Sequence, residues 1–276
     1  MRPLLICLSF LIVAVSTAEE ASRERPVFGI LGAMPVETRL ARQALENPET
    51  SEVLGISFVQ GELGGVNVVL ATSGMGKVNA AMATTLLLDQ WRPQYLIFTG
   101  IAGGVAADID PGDLVVAEQL AYYDYGRLNE GGYNVWATTH PATGRRNPVY
   151  FPSDAELLAG FEAAASSDAM VALQRRQEVS DMELIRGTIA SGDTYIASES
   201  KKAWIVREFD AKAVEMEGAA VAQICHQRSI PFLVVRGISD RAGANSSAEL
   251  RRYIGIAADR AGQLVVSLVS ATGSID

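Results

Sequence analysis

Three acidic side chains stand where a buried anion or a buried acid could do chemistry: Glu37, Glu217 and Asp240. Glu217 belongs to the stretch Val214-Glu215-Met216-Glu217-Gly218-Ala219-Ala220, where the apolar run from Ala211 to Val214 turns into a small-residue helix. The positive end of a helix dipole stabilises an anion at such a start by about 0.3–1 kcal/mol. A carboxylate held ionised there, beside an apolar wall, suits sugar hydroxyls or a developing cation. The same spacing also describes an ordinary first-turn glutamate.

Asp240 follows the most apolar run of the chain, Pro231 to Ile238. Burial favours the protonated carboxyl and makes this residue a candidate general acid, with Ser239 beside it. The plainer reading is a capping aspartate for the turn before Ser246. Glu37 comes early in a helix behind Met34 and Pro35, where a base could take a proton from water; an exposed helix-start acid is the alternative. Arg236 lies inside the same apolar run, and a buried arginine must be paired, so an ion pair with a site carboxylate is expected. Asp193 reads as a brace for the Ser191-Gly192 turn. His226, in a helix, reads as a packed or surface histidine.

The elements that must position these residues alternate between strand and helix. Val27 to Leu31, Tyr95 to Phe98, Leu114 to Ala117, Leu184 to Ala190 and Pro231 to Ile238 read as strands. Ile56 to Glu62 and Val66 to Ala71 flank Gly64-Gly65, a hairpin signal. Helices are expected over Val36 to Leu45, Lys77 to Trp91, Asp154 to Ala165, Glu199 to Phe209 and Ser246 to Val269. This alternation predicts an α/β fold in a single domain over residues 26–272: a central mixed, largely parallel twisted sheet flanked by helices in three layers. Ligands of open α/β sheets bind at the carboxyl ends of strands. The loops Gly32-Ala33-Met34, Gly100-Ile101-Ala102-Gly103-Gly104, Ser191-Gly192-Asp193 and Ser239-Asp240 should therefore share one rim. Gly103-Gly104 permits close approach of a ligand or a neighbouring strand. Tyr122 to Phe151 has weak periodicity and reads as a surface excursion, in which Tyr133, Trp136 and Tyr150 line a pocket, form a dimer surface or simply pack the loop.

Bulk properties narrow the function class. A formal charge of −9 argues against nucleic acid or an anionic membrane as partner. Residues 1–18 read as a secretory signal: Arg2, an apolar stretch from Leu4 to Val15 too short to span a bilayer comfortably, and small residues at Ser16-Thr17-Ala18. After cleavage there, only Cys225 remains and no internal disulfide is possible, which describes an exported protein, periplasmic or secreted, built like a cytoplasmic one. One cysteine with His140 and His226 argues against a protein-borne zinc site. Neither a dinucleotide fingerprint nor a nucleophile elbow is present.

Taken in order, Gly32-Ala33-Met34 with Glu37, Ser73-Gly74-Met75-Gly76-Lys77-Val78, Thr99 to Gly104, Ser191-Gly192-Asp193, Val214 to Glu217 and Val235 to Asp240 resemble one family. It is the 5′-methylthioadenosine/S-adenosylhomocysteine nucleosidases of the purine nucleoside phosphorylase superfamily, and the resemblance runs from about Phe28 to Val269. It implies a nucleoside phosphorylase-like fold, cleavage of the N-glycosidic bond of an adenine nucleoside by water, no metal or organic cofactor, and a homodimer. It also implies roles: Asp240 as the acid at adenine N7, Glu37 as the base for water, Glu217 on the ribose with Met216 beside the sugar. Tyr195 and Ile196 would receive the adenine, with Tyr where Phe is common and the Ile196 backbone on the base edge. Met34, Ile101 and Ser239 complete the expected binding set, with Arg236 in support. Two departures stand out. Ile101 replaces the small hydroxyl residue usual in the Thr-Gly-x-Ala-Gly-Gly loop, which could help hold the attacking water. Tyr122 to Phe151 differs as well and is expected to shape the pocket for the 5′ substituent. The rival readings are a phosphate-dependent nucleoside phosphorylase, which would need charged donors for phosphate, and an exported nucleoside-binding protein without turnover.

Overall fold

The computed structural model describes residues 27–177 and 182–272. The expected signal, residues 1–18, lies outside them. Apolar runs become strands and amphipathic or Ala-rich runs become helices, in the order β1 (Phe28–Gly32), α1 (Pro35–Ala44), β2 (Glu46–Val53), β3 (Ile56–Leu63), β4 (Val66–Thr72), α2 (Lys77–Gln90), β5 (Tyr95–Gly104) and β6 (Leu114–Tyr122). The chain continues through β7 (Gly126–Asn129), β8 (Gly132–Val135), β9 (Tyr150–Pro152), α3 (Ala155–Ala165), α4 (Asp168–Gln177), β10 (Leu184–Ser191), α5 (Glu199–Phe209) and β11 (Ala211–Glu215). It ends with α6 (Gly218–Arg228), β12 (Phe232–Asp240) and α7 (Ser246–Thr272).

The main sheet has the order β11-β10-β6-β12-β5-β1-β4-β3-β2, with β9 on β6. Parallel pairs join β4, β1, β5 and β12 in one group and β6, β10 and β11 in another. The two groups meet in the antiparallel pair β6–β12. β12 is buried along its whole length, as expected of a strand covered on both faces. One apolar layer lies under α2 and α6, and another under α1, α3, α4 and α7.

The sheet is not open throughout. β11 also pairs antiparallel with β5, Ala213 opposite Gly104 and Val214 opposite Gly103, which curls the β11-β10-β6-β12-β5 portion back on itself. This explains how the four loops meet. Gly32-Ala33-Met34 leaves the end of β1, whereas Gly100 to Gly104 and Ser239-Asp240, expected as loops, are the carboxyl ends of β5 and β12 themselves; the three strands run in parallel and obey the carboxyl-end rule. The loop after β10 belongs to a strand running the opposite way from β12 and reaches the rim only through this curl. Gly103 and Gly104 pair with β11, while a side chain would meet Asp240 and Ala242 at the first and Ile109 and Ile238 at the second.

Several expectations needed extension. β2 is exposed along most of its length and has no apolar periodicity to announce it; it forms by pairing on β3. α4 buries only Met170 and Leu173 and was not foreseen. The segment Tyr122 to Phe151 contains the hairpin β7–β8 and the short strand β9.

Candidate active site

Glu37 is the third residue of α1, whose Pro35 has the fixed φ suited to a first helical position. Its Oε2 accepts the backbone N–H groups of Ala33 and Met34, both at 2.7 Å, and its Oε1 accepts that of Ile101 at 2.9 Å. The residue is therefore a helix-start acid and a site acid together, but it is buried, not exposed. Burial raises its pKa, opposed by Arg236 and by the N–H donors from Ile101, Met34 and Ala33.

Asp240 ends β12. Its Oδ1 accepts Ala242 N–H at 2.9 Å, and the Ser239 hydroxyl donates to Oδ2 at 2.9 Å. The turn-bracing reading is thus correct as far as it goes, yet the carboxyl also lines the cavity. Burial raises its pKa, opposed by the bonds from Ala242 and Ser239. A side chain on Gly103 would press against this carboxylate and Ala242, so the glycine keeps the acid's place open.

Glu217 is the N-cap of α6 but makes no capping bond of its own. Its Oε1 accepts Gly76 N–H at 2.7 Å across the cavity rim. The expectation of a firmly ionised carboxylate needs correction. Burial and then the charge of Glu215 push its pKa up to about 7, against the pull of Arg236. Two acids one residue apart share one guanidinium, and the dipole of α6 is too weak to offset desolvation.

The residue that the sequence reading left without a role is Glu215. It is buried, bonds Arg236 and the Ser191 hydroxyl, and its Oε2 accepts the N–H groups of Glu217 at 3.0 Å and Gly218 at 2.7 Å. It caps α6 in place of Glu217. Arg236 is paired as expected, with Glu215 in direct contact and Glu217 at 3.7 Å, and its guanidinium lies 4.4 Å from the centre of the Phe98 ring.

One cavity is lined by Glu37, Glu217 and Asp240 together with Met34, Ile101, Tyr195, Met216 and Ser239. Met75, Leu250 and Ile254 join them, unforeseen; the last two stand one turn apart on α7. Ile196 does not line this cavity. It is buried and lines a small neighbouring recess that shares Gly103, Tyr195, Val214 and Asp240. Tyr195 is 44% exposed and lines both the cavity and the recess.

Other expectations meet mixed outcomes. Among the described residues, none from Tyr122 to Phe151 lines the cavity. Tyr133 packs edge-on against Trp204, and Tyr150 against Phe209, so both rings pack within the fold and neither lines the cavity. Asp193 braces a helix more than its own turn: its Oδ1 accepts Lys77 N–H at 2.8 Å at the start of α2. His226 is a surface residue, 5.7 Å from the Phe151 ring centre.

This fold and rim define a class, the phosphorylase superfamily, whose family model matches residues 27–270. A 5′-methylthioadenosine/S-adenosylhomocysteine nucleosidase of Psychromonas ingrahamii is 35% identical over 243 residues, covering 88% of this chain and 97% of the relative. The nucleosidase of Colwellia psychrerythraea, solved with adenine, superposes with a TM-score of 0.76 at 34% identity over 89% of this chain and 95% of that one. That of Neisseria meningitidis, solved with methylthio-immucillin-A, gives 0.74 at 33% identity over 88% and 98%. The chain belongs to the 5′-methylthioadenosine/S-adenosylhomocysteine nucleosidase family.

Proposed function

We propose that this cavity hydrolyses the N-glycosidic bond of 5′-substituted adenine nucleosides and releases adenine. The observation that supports this most is the convergence of Glu37, Glu217 and Asp240 on one cavity beside the half-exposed ring of Tyr195. The adenine stacks on Tyr195, with the Ile196 backbone on its edge. Burial raises the pKa of Asp240 and so favours the carboxylic acid that gives its proton to N7, because adenine leaves poorly as an anion. Glu37, held by three backbone N–H groups, takes a proton from the attacking water; a raised pKa makes it the stronger base. Glu217 binds the ribose hydroxyls, and Met216 packs beside the sugar. The carboxylates stabilise the cation that develops on the ribose as the bond breaks. Ile101 offers an apolar side chain at this point and holds Glu37 through its backbone.

Phosphorolysis is disfavoured because, among the described residues, no arginine or lysine lines the cavity. Arg236 is wholly buried against Glu215, and Lys77 is engaged by Asp124 at 2.6 Å. Capture without turnover is disfavoured by a buried acid and a buried base in one cavity. Base release should be assayed with 5′-methylthioadenosine, S-adenosylhomocysteine, 5′-deoxyadenosine, adenosine and inosine. Release from the 5′-substituted adenine nucleosides, independent of orthophosphate, is expected. Strict dependence on orthophosphate, or binding without release, overturns the reading.

The chain also acts, in this reading, as a homodimer exported from the cytoplasm. Val78 and Met82, one turn apart on α2, are exposed at 80% and 41%, an apolar strip suited to a second copy. Val78→Glu is expected to give monomers in light scattering. A mature N-terminus at Glu19 in the exported fraction is the expected trace of signal cleavage.

A further inference from the structure

We infer that Lys201 is a positioning residue that holds the base-receiving loop through a cage of aromatic rings; this rests on the reading that adenine stacks on Tyr195. The Lys201 ammonium lies 3.5 Å from the ring centre of Trp204, 5.3 Å from that of Tyr123 and 5.8 Å from that of Tyr133. Three elements meet on this cation: α5 through Trp204, the hairpin β7–β8 through Tyr133, and the end of β6 through Tyr123. Ring faces carry negative potential, so a cation draws the three together where a neutral side chain would only fill space. Burial lowers the pKa of Lys201, opposed by Asp124, consistent with an ammonium partly withdrawn from water.

Tyr123 transmits this to the site. Its hydroxyl lies 2.7 Å from the Thr194 carbonyl and 3.1 Å from that of Gly192. Its ring covers Gly192 so closely that any side chain there would collide with it. Tyr195 follows at once, and Ile196 packs in the same apolar cluster as Tyr123. Lys201 does not line the cavity. Its effect should fall on how the base is held and not on proton transfer.

The test uses the full chain with Lys201→Met, Lys201→Arg, Tyr133→Leu and the double variant Lys201→Met/Tyr133→Leu. In the ligand-free Lys201→Met protein, amide exchange across residues 192–198 is expected to quicken by about tenfold, the factor a desolvated cation–π contact represents. Adenine Kd and KM for 5′-methylthioadenosine should rise by a similar factor, with kcat changed by less than about twofold. Lys201→Arg should recover most of the loss, and the double variant should lose less than the sum of the two single losses. Tyr133 lies on a surface hairpin, so its variant carries the test even if Lys201→Met folds poorly. Unchanged exchange and Kd in Lys201→Met, an arginine variant as impaired as the methionine one, or additive losses in the double variant each overturn the inference. Quickened exchange in a protein whose parent neither binds nor releases adenine upholds the mechanical link and overturns the base assignment alone.

Discussion

Arg236 bonds Glu215 directly and leaves Glu217 at 3.7 Å. The guanidinium is thereby a fixed part of the scaffold, and the second carboxylate, which faces the cavity, meets it only at the longer ion-pair distance. Glu215→Ala should leave Arg236 without its bonded partner, buried among aromatic and backbone groups. Removing one member of a buried pair typically costs about 3–5 kcal/mol. Urea denaturation is expected to show a loss of that order, and a loss below about 1 kcal/mol would mean that Arg236 is otherwise satisfied.

Asp240→Asn keeps the shape of the side chain and its place beside Ser239 and Ala242. It removes the proton meant for the leaving base. General acid help is worth about 10²–10⁴-fold, so base release should fall by that factor. Adenine binding, read by calorimetry, should change by less than about tenfold. Loss of binding and turnover together would make Asp240 a binding residue only.

The pH profile of kcat/KM should be a bell with both limbs above the range of free carboxyls. Burial raises the pKa of Asp240, whose protonated form is required, and activity fades as pH climbs through that raised value. Burial likewise raises that of Glu37, whose ionised form is required, and activity fades as pH drops through it. The residual activity of Asp240→Asn should lack the alkaline limb. An alkaline limb of unchanged position in that variant would assign it to another group.

Glu217 makes stability fall as pH rises. Its pKa goes from 4.5 for an ordinary glutamate to about 7 in the fold, so the folded state holds the extra proton between these values. The stability is fully present below the lower value and is lost as pH rises through the upper one, by up to roughly 3 kcal/mol. Glu217→Gln should therefore melt higher than the parent at pH 8 and show little difference at pH 4. A variant that melts lower at both pH values would mean that Arg236 depends on the Glu217 charge.

The sequence by itself determined the strand and helix pattern wherever burial imposes a continuous apolar run, as along β12, or a helical period, as along α1 and α7. It also set Glu37, Glu217 and Asp240 at or within a turn of element ends that the carboxyl-end rule gathers on one rim. It was silent on β2, whose polar surface forms a strand only by pairing with β3. Tertiary structure alone decided the β11–β5 pairing that brings the loop after β10 to the rim, since a register between strands far apart in the chain leaves no local mark. It alone decided that Glu215 and not Glu217 holds Arg236. Adjacent acids of like type read alike in one dimension; only packing assigns one to the guanidinium and turns the other toward the cavity.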